Sequence, residues 1–480
     1  MATARVDPFN QPGNGLQSRD AKWSVPLLSL PGRAGLDLGL SLSYSSMVWT
    51  HSGPYIYFDE DNGFPSPGFR LGFPTIQERV FDAQAGGNVY LMITGGSRIS
   101  LRQLGTSNTY EAGDSSHLQL IDNGGSLLLR TTDGTQLSYQ SYNNEWRCTQ
   151  IKDRNGNYFT INYDWLGHIT TITDTLARTI TFNYDANANL TSITQNWTVN
   201  GVTTTHTWAS FGWSTQAIQS TFSSVMVVGA PNGSTVPVLN QVGLDDGSRY
   251  NFEYSGNGQV NIIRRYTSDN IQRSYSAYNY SAPADDCPRI TATRVWAENW
   301  TGINGVPAEV VTQYSDPGDG SHALTAPDGT IYKEFYGGTG GSPAWQKGLV
   351  TQSEVWSASI KQKWTTINWT QDNTGVGYQM NPRVTESNIY DSSGNRRRTT
   401  VSYTTFTLPS GASCPLSADT REYAADATTI LRRAHTDYRM DPTADAAYLD
   451  RHIIGLVREQ SLYETIAGGE RLMARSGSQV

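Results

Sequence analysis

Three stretches of this 480-residue chain share a single register. From Gly156, Tyr163 lies seven residues on, Gly167 four further, Ile169 two further and Ile172 three further. The same steps from Ala177 reach Tyr184, Ala188, Leu190 and Ile193, and from Gly247 they reach Tyr254, Gly258, Val260 and Ile263. A fourth copy opens at Asp328-Gly329, reaches Tyr336 and Gly340 and then decays. Looser copies open at Asp133-Gly134, with Tyr139, and at Ser393-Gly394, where Tyr403 falls two residues late. Gly, Asn and Asp tolerate positive φ, so Asn155-Gly156, Asp246-Gly247 and Asp328-Gly329 mark hairpin turns. Tyr163 to Tyr184 is 21 residues, one hairpin per period. A unit that small buries its face only against its neighbours. Hairpins laid side by side make one long antiparallel sheet, and a sheet that long must twist and curl.

The rest of the chain also reads as strand. Leu36, Leu38, Leu40, Leu42 and Tyr44 alternate with Asp37, Gly39, Ser41 and Ser43, the period of a half-buried strand. Val25–Leu30 precedes it, with Pro31-Gly32 and Gly35 between, so two strands around a turn are expected. Residues 51 to 75 read as a packed loop. Short strands follow near 79–82, 88–93, 97–104, 117–121 and 126–131, punctuated by Gly86-Gly87, Gly95-Gly96 and Gly124-Gly125. The one helix signal is Asp441-Pro442, which suits a short helix running through Tyr448. Only 16% of residues are charged while Gly numbers 46 and Tyr 26, which excludes a coiled coil and a charge-driven disordered chain.

The segment Asp153-Arg154-Asn155-Gly156-Asn157-Tyr158-Phe159-Thr160-Ile161-Asn162-Tyr163-Asp164 resembles the YD repeat of the RHS/YD-repeat family. So does Tyr184-Asp185-Ala186-Asn187-Ala188-Asn189-Leu190-Thr191-Ser192-Ile193, and Glu386 to Asn395 is a degenerate match. Val25 to Tyr44 resembles the segment that precedes the repeats in bacterial RHS proteins. The resemblance covers about three quarters of the chain and implies a sheet that spirals into a hollow shell, enclosing a toxic polypeptide or presenting an adhesive surface. This chain departs from the family in several places. Ala177 and Ala188 stand where the family has Gly, Tyr254 is followed by Ser255 and Tyr336 by Gly337. Altered hairpin geometry is expected there. Family members are often longer, and many end in a core that closes the shell and releases a variable toxin. No such segment precedes Val480, and Leu472 to Val480 read as cut rather than capped, leaving an open sheet edge.

Signals for chemistry are few. The net charge is −8, and the nearest thing to a basic stripe is Arg396, Arg397 and Arg398, read as a solvated turn, so nucleic acid is not an expected partner. Cys148, Cys287 and Cys414 are far apart with no CxxC pair, which supports neither a zinc site nor a disulfide framework. Asp59-Glu60-Asp61-Asn62-Gly63 invites calcium, but an EF-hand needs Gly sixth and Glu twelfth, and here Gly63 is fifth and Arg70 twelfth. It reads as a solvated acidic turn. Asp245-Asp246 and Asp285-Asp286 are adjacent and point to opposite faces of a strand. The histidines are isolated, and His168 in its repeat turn reads as exposed. No Ser-centred nucleophile elbow is present. Tryptophans such as Trp165, Trp197 and Trp364 suit either cross-strand packing or stacking on sugar rings.

The fold expected is all-β: a long curling antiparallel sheet of YD-type hairpins, a partial RHS shell, with a β-rich N-terminal lead-in. Residues 1–20 are expected to be a flexible segment, 21–125 the lead-in, 126–345 the recognisable repeats and 346–480 divergent hairpins, truncated. No catalytic residue, metal or cofactor is assigned, and the repeat residues from Gly156 to Tyr336, including Gly329, are structural. The leading expectation is a non-enzymatic scaffold, the N-terminal wall of a shell for toxin delivery or cell contact. Its partners would be the remainder of the shell or a C-terminal toxin cargo. A carbohydrate-binding surface or adhesion protein, with glycan partners, is the alternative, and a glycoside hydrolase using two carboxylates across a cleft is a third. No apolar run approaches the ~20 residues that span a bilayer. Met1 to Asp20 is polar and does not read as a signal peptide, so the secreted or cell-surface location expected goes with another route of export or a different natural N-terminus, and a location inside the cell stays open.

Overall fold

The computed structural model describes residues 15–82, 87–95, 97–282, 286–301, 308–338, 340–467 and 469–477. The flexible segment expected over residues 1–20 therefore lies largely outside the described residues, as do Gly86, Gly96 and Asp285. The fold is all-β, as its composition and periodicity require. One antiparallel sheet runs from the strand Thr75–Asp82 to the strand Gly469–Gly477. Each strand pairs with the next in sequence, except that Met226–Val228 leaves to pair in parallel with Tyr55–Phe58. The sheet closes on itself early. In the strand Glu145–Lys152, Glu145 and Trp146 pair back with Gln77 and Ile76, while Gln150 to Lys152 pair onward with Thr160 to Tyr158. The strands from Thr75 to Lys152 thus form a barrel, and the repeats peel away from its last strand. At the branch, Glu145 is 2% exposed, accepts from Thr75 Oγ1 at 2.8 Å and pairs with Arg147 at 2.6 Å.

The repeat turns share one geometry. The first residue's carbonyl accepts from the fourth residue's N–H, and the fourth residue is left-handed. Gly156 (φ 90°), Gly167 (85°), Gly247 (79°), Gly258 (76°) and Gly329 (83°) occupy that place. Glycine therefore closes a four-residue turn, and Asn155-Gly156 is not the core of a two-residue one. Where the first residue is Asp, its carboxylate clamps the loop. Asp164 Oδ1 accepts from the N–H groups of Leu166 and His168, both at 2.9 Å, and Asp153, Asp174, Asp185 and Asp391 do the same for their own loops. The departures expected to alter the hairpins mostly do not. Ala177 (φ 62°) and Ala188 (φ 61°) adopt the left-handed conformation too. Ser255 keeps the turn, with Gly258 N–H on its carbonyl at 3.0 Å. Only Gly337 changes it. Its N–H donates to Leu349 at the end of a longer excursion, and Gly340 sits inside that loop.

The lead-in folds into a small sheet of its own. Lys22–Leu30 pairs antiparallel with Leu38–Ser45, and Phe69–Leu71 adds a third strand, with Leu42 opposite Leu71 and Tyr44 opposite Phe69. The stretch 51–75 thus holds strands as well as loop. One hydrophobic core joins this sheet to the inner face of the large one. Val25, Leu40, Leu42 and Phe69 lie in it beside Ile76, Ile161, Ile172, Phe182, Ile193, Val242 and Phe252, and it ends at Ile263. Period-two alternation supplies those inward residues, and a plug of apolar strands covers them. Polar ties fix its position. Val260 N–H donates to Tyr44 Oη at 2.8 Å, Leu239 N–H to Ser66 Oγ at 3.1 Å and Trp49 Nε1 to the Asn257 carbonyl at 2.9 Å.

Further along, the sheet returns over the barrel. His452 Nε2 lies 2.7 Å from the His117 carbonyl, Ile454 N–H donates to the Thr132 carbonyl at 3.0 Å, and Asn381 N–H to the Gly113 carbonyl at 2.9 Å. Leu408, Cys414, Met440, Leu449 and Ile454 form a separate core at this seam. The helix itself is Ala446–Leu449, and Asp441 caps the turn that leads into it, its carboxylate accepting from the N–H groups of Thr443 and Ala444, both at 2.8 Å. Arg396, Arg397 and Arg398 are not in a turn. They lie in the strand Arg396–Thr407 and pair with Glu386 and Glu422.

Two measurements follow from these contacts. Left-handed Ala is strained by about 1–2 kcal/mol, partly offset by the entropy Gly loses on folding. Ala177→Gly and Ala188→Gly should therefore each stabilise the chain by roughly 0.5–1 kcal/mol in urea denaturation, while Gly156→Ala should cost about as much. At the seam, burial pushes the His452 imidazole down to about 4 from its ordinary 6.5. The folded state favours the neutral ring, so its contribution is complete above pH 6.5 and is lost as pH falls through 4, roughly 3 kcal/mol in all. His452→Gln retains an N–H donor and should flatten the fall in stability between pH 6.5 and 4, read from hydrogen exchange at the Ile454 amide.

Candidate functional site

The repeat tyrosines sit at a recurrent break in the ladder of strand pairing. Asn162 pairs with Thr171 and Tyr163 with Ile169, leaving Thr170 as an inserted residue. The same bulge recurs at Tyr139, Tyr184, Trp213, Tyr254, Tyr280, Tyr336, Trp369, Tyr403 and Tyr438. A bulge disrupts the local ladder and increases the twist. Two side-chain groups repair it, although at Trp213, Tyr254, Tyr403 and Tyr438 the inserted residue is Asn240, Asn261, Ala418 or Arg458 in place of a threonine. The inserted threonine donates back to the residue before the aromatic: Thr170 Oγ1 to the Asn162 carbonyl at 3.1 Å, Thr191 to Asn183 at 2.9 Å, and Thr149, Thr291, Thr351 and Thr385 likewise. The residue opposite the aromatic offers its carbonyl to the next aromatic along.

The result is a chain of linked bonds. Tyr163 Oη donates to the Cys148 carbonyl at 2.7 Å, and Tyr163 itself lies opposite Ile169. Tyr184 Oη donates to the Ile169 carbonyl at 2.7 Å and lies opposite Leu190. Trp213 Nε1 donates to the Leu190 carbonyl at 2.8 Å and lies opposite Leu239. Tyr254 continues to Leu239, Tyr280 to Val260, Trp369 to Val350, Tyr403 to Val384 and Tyr438 to Ser417. Burial pushes the Tyr163, Tyr184, Tyr254 and Tyr280 hydroxyls well above their ordinary range, so they remain donors at any working pH.

The structure thus places Gly156, Gly167, Ala177, Ala188, Gly247, Gly258 and Gly329 in turns, and Tyr163, Ile169, Tyr184, Leu190, Tyr254 and Val260 in this ladder. Tyr336 stands at a bulge opposite Val350, but its hydroxyl meets Glu334 and accepts from Gln17 N–H at 3.2 Å. Sequence reasoning missed the threonines and the tryptophans that substitute for tyrosine. Their signal was present as an aliphatic–threonine pair in Ile169-Thr170, Leu190-Thr191, Ile290-Thr291, Val350-Thr351 and Val384-Thr385.

Past Ile263 the N-terminal segments still reach this face, through Tyr278 against the core, Ile290 N–H on the Arg19 carbonyl at 3.1 Å and Gln17 N–H on Tyr336 Oη, and only after Tyr336 does the ladder face leave them. It carries Arg397, Glu422 and Arg432, paired at 3.2 and 2.9 Å, among half-buried Thr, Val and Ala. The opposite face is laced by aromatic–cation contacts. Trp364 stacks on Tyr390 at 4.8 Å, Arg398 lies 4.6 Å from the Tyr423 ring and Arg433 4.4 Å from that of Tyr463. Both faces of these later strands therefore meet water.

The acidic turn is held by cations, not solvated. Arg98 pairs with Glu60 at 3.0 Å and Asp61 at 2.6 Å, and Asp59, pushed up to about 6 chiefly by burial, accepts from Gly63 N–H. It borders a cleft of about 460 Å³ with His51, Asp286 and Arg289. Among the described residues no three His, Cys, Asp or Glu side chains gather to hold a metal. His168 is half-buried, not exposed: it meets Asp164 at 3.1 Å and stacks against Phe64 and Tyr184. Trp165 is 83% exposed, whereas Trp345 is buried. No helix among the described residues is long and apolar enough to cross a membrane.

No protein-family model matches this chain, and no curated protein matches it. Among solved structures, it aligns with a porin-like protein from Bacteroides uniformis at 8% identity, over 62% of this chain and 91% of that one, with a TM-score of 0.21. It aligns with the Photorhabdus luminescens Tc holotoxin pore at 11% identity, over 84% and 20%, with a TM-score of 0.25. The TcdB2-TccC3 structure aligns at 9% identity, over 90% and 25%, with a TM-score of 0.19. The chain thus spans a quarter or less of these toxin chains.

The ladder is directly testable. Tyr184→Phe keeps the ring but leaves the Ile169 carbonyl without its donor, and should cost about 1–2 kcal/mol in chemical denaturation. Tyr158→Phe, at an exposed position, should cost nothing measurable.

Proposed function

We propose that this chain is a non-enzymatic wall segment of an RHS-type shell, serving toxin encapsulation or contact between cells at or beyond the cell surface. The observation that carries this reading is the ladder. A bulge beside an aromatic recurs from Tyr139 to Tyr438, with an inserted threonine at six of these ten places and an aromatic donor to the preceding hairpin at eight, and each bulge increases the twist, so the sheet is built to curl and to be extended by further copies. The YD-type segments around Tyr163 and Tyr184 support the same reading. The ladder face around Arg397, Glu422 and Arg432, with ion pairs in place of a second apolar layer, suits a wall whose inner side meets water or a polypeptide. The partners are then the rest of the shell and its cargo.

The test is to sequence the coding region on both sides and co-express this chain with what adjoins it. A shell-type continuation whose downstream product co-purifies protected from protease supports the reading. Adjoining sequence without repeats, or a product digested as fast as when expressed alone, would overturn it. A glycan-binding surface is the second reading, favoured by the exposed Trp165. Trp165→Ala should then abolish retention on a glycan array, and an array that retains nothing removes this reading.

A further inference from the structure

Where the returning sheet meets the barrel, the segments 372–381 and 408–413 cover the strand Thr109–Ala112 and leave a pocket of about 140 Å³. At about 30 Å³ per water-sized unit it holds some four or five non-hydrogen atoms. Its walls include Leu104, Ala112, Met380 and Tyr378. Two acceptors in this lining are incompletely used. Glu111 is 7% exposed, and both of its hydrogen bonds fall on Oε1, from Gln119 Nε2 and Ser410 Oγ, each at 3.1 Å. Among the described residues nothing donates to Oε2. Asn381 gives its Nδ2 to Asp372 at 2.8 Å and to the Ser413 carbonyl at 3.3 Å, and its Oδ1 is buried without a partner.

The charged neighbours are already engaged. Arg102 donates to the Gln379 carbonyl at 3.2 Å and lies 4.9 Å from the Tyr378 ring. Asp372 is held by Arg383 at 2.6 Å, and Cys414 is a buried thiol pushed up to about 12. Burial raises the Glu111 carboxyl to about 7, opposed only by its two neutral donors. A buried carboxyl without a cation lacks its natural partner.

We propose that this pocket binds an alkylammonium group, with the ammonium between Glu111 Oε2 and Asn381 Oδ1 and the alkyl chain against Leu104, Ala112 and Met380. The group has the size, donors and charge that the site lacks. It can come from a free small amine or from the end of a lysine side chain on a polypeptide.

The experiment is calorimetric titration of the full chain with n-butylammonium, N-acetyl-lysine amide and n-butanol at pH 8 and pH 5.5. The ammonium ligand should bind at least tenfold more tightly at pH 8, where Glu111 is ionised, and n-butanol should bind at least tenfold more weakly than n-butylammonium. Glu111→Gln keeps the hydrogen bonds to Gln119 and Ser410 and should remove the ammonium binding at both pH values. The wild-type pH dependence stands as a test even if that variant fails to fold. N-acetyl-lysine amide binding as well as n-butylammonium assigns the pocket to a lysine side chain, and n-butylammonium alone assigns it to a free amine. No binding at pH 8, equal binding of n-butanol, or affinity unchanged by pH or by Glu111→Gln overturns the proposal.

Discussion

The bond from a repeat aromatic to the carbonyl one hairpin back, made by eight of the aromatics from Tyr163 to Tyr438, is what the rest of the structure depends on. A long antiparallel sheet left regular is flat enough to aggregate and too broad to enclose anything. Here the bulge beside each aromatic supplies extra twist, and most of these bulges are tied by the next tyrosine or tryptophan, six of them also by an inserted threonine. Because each carbonyl acceptor lies opposite the preceding aromatic, curvature and register are set by the same contact. An unsatisfied buried carbonyl costs about 1–3 kcal/mol, so each such bond holds the register of the hairpins it links, from Tyr163 to Tyr280 and again from Trp369 to Tyr438.

The barrel gives that sheet its starting edge. The strand Glu145–Lys152 serves two neighbours along its length, closing the ring with its first residues and launching the repeats with its last. The lead-in strands then lie against the inner face as far as Ile263. Beyond them the later strands bury a smaller apolar core only at the seam with the barrel and elsewhere use ion pairs and aromatic–cation contacts. The two halves of the sheet therefore share one backbone device and differ in what their faces can afford to expose.

Much of this was legible from the chain. Strand alternation at Leu38–Tyr44 and the recurrent turn–aromatic–turn spacing determine an all-β fold, because side-chain period and turn chemistry are local. The aliphatic–threonine pairs were equally visible, yet their meaning is not local: a threonine at an inserted position looks like any strand threonine until its partner strand is known. The same applies to Ala177 and Ala188, which keep the left-handed turn because the Asp174 and Asp185 clamps and the flanking strand pairing hold it against the cost of a Cβ.

By itself, then, the sequence determined that hairpins form, where they turn and which face of each is apolar up to Ile263. Only the tertiary structure decided that Glu145 closes a barrel, that the lead-in fills the curl, that Arg396 to Arg398 lie in a strand and that Glu111 ends beneath a segment some three hundred residues away. The reason is physical. Periodicity and turn preference act within a few residues, whereas closure, covering and burial of a charge depend on which distant strand the accumulated twist brings alongside.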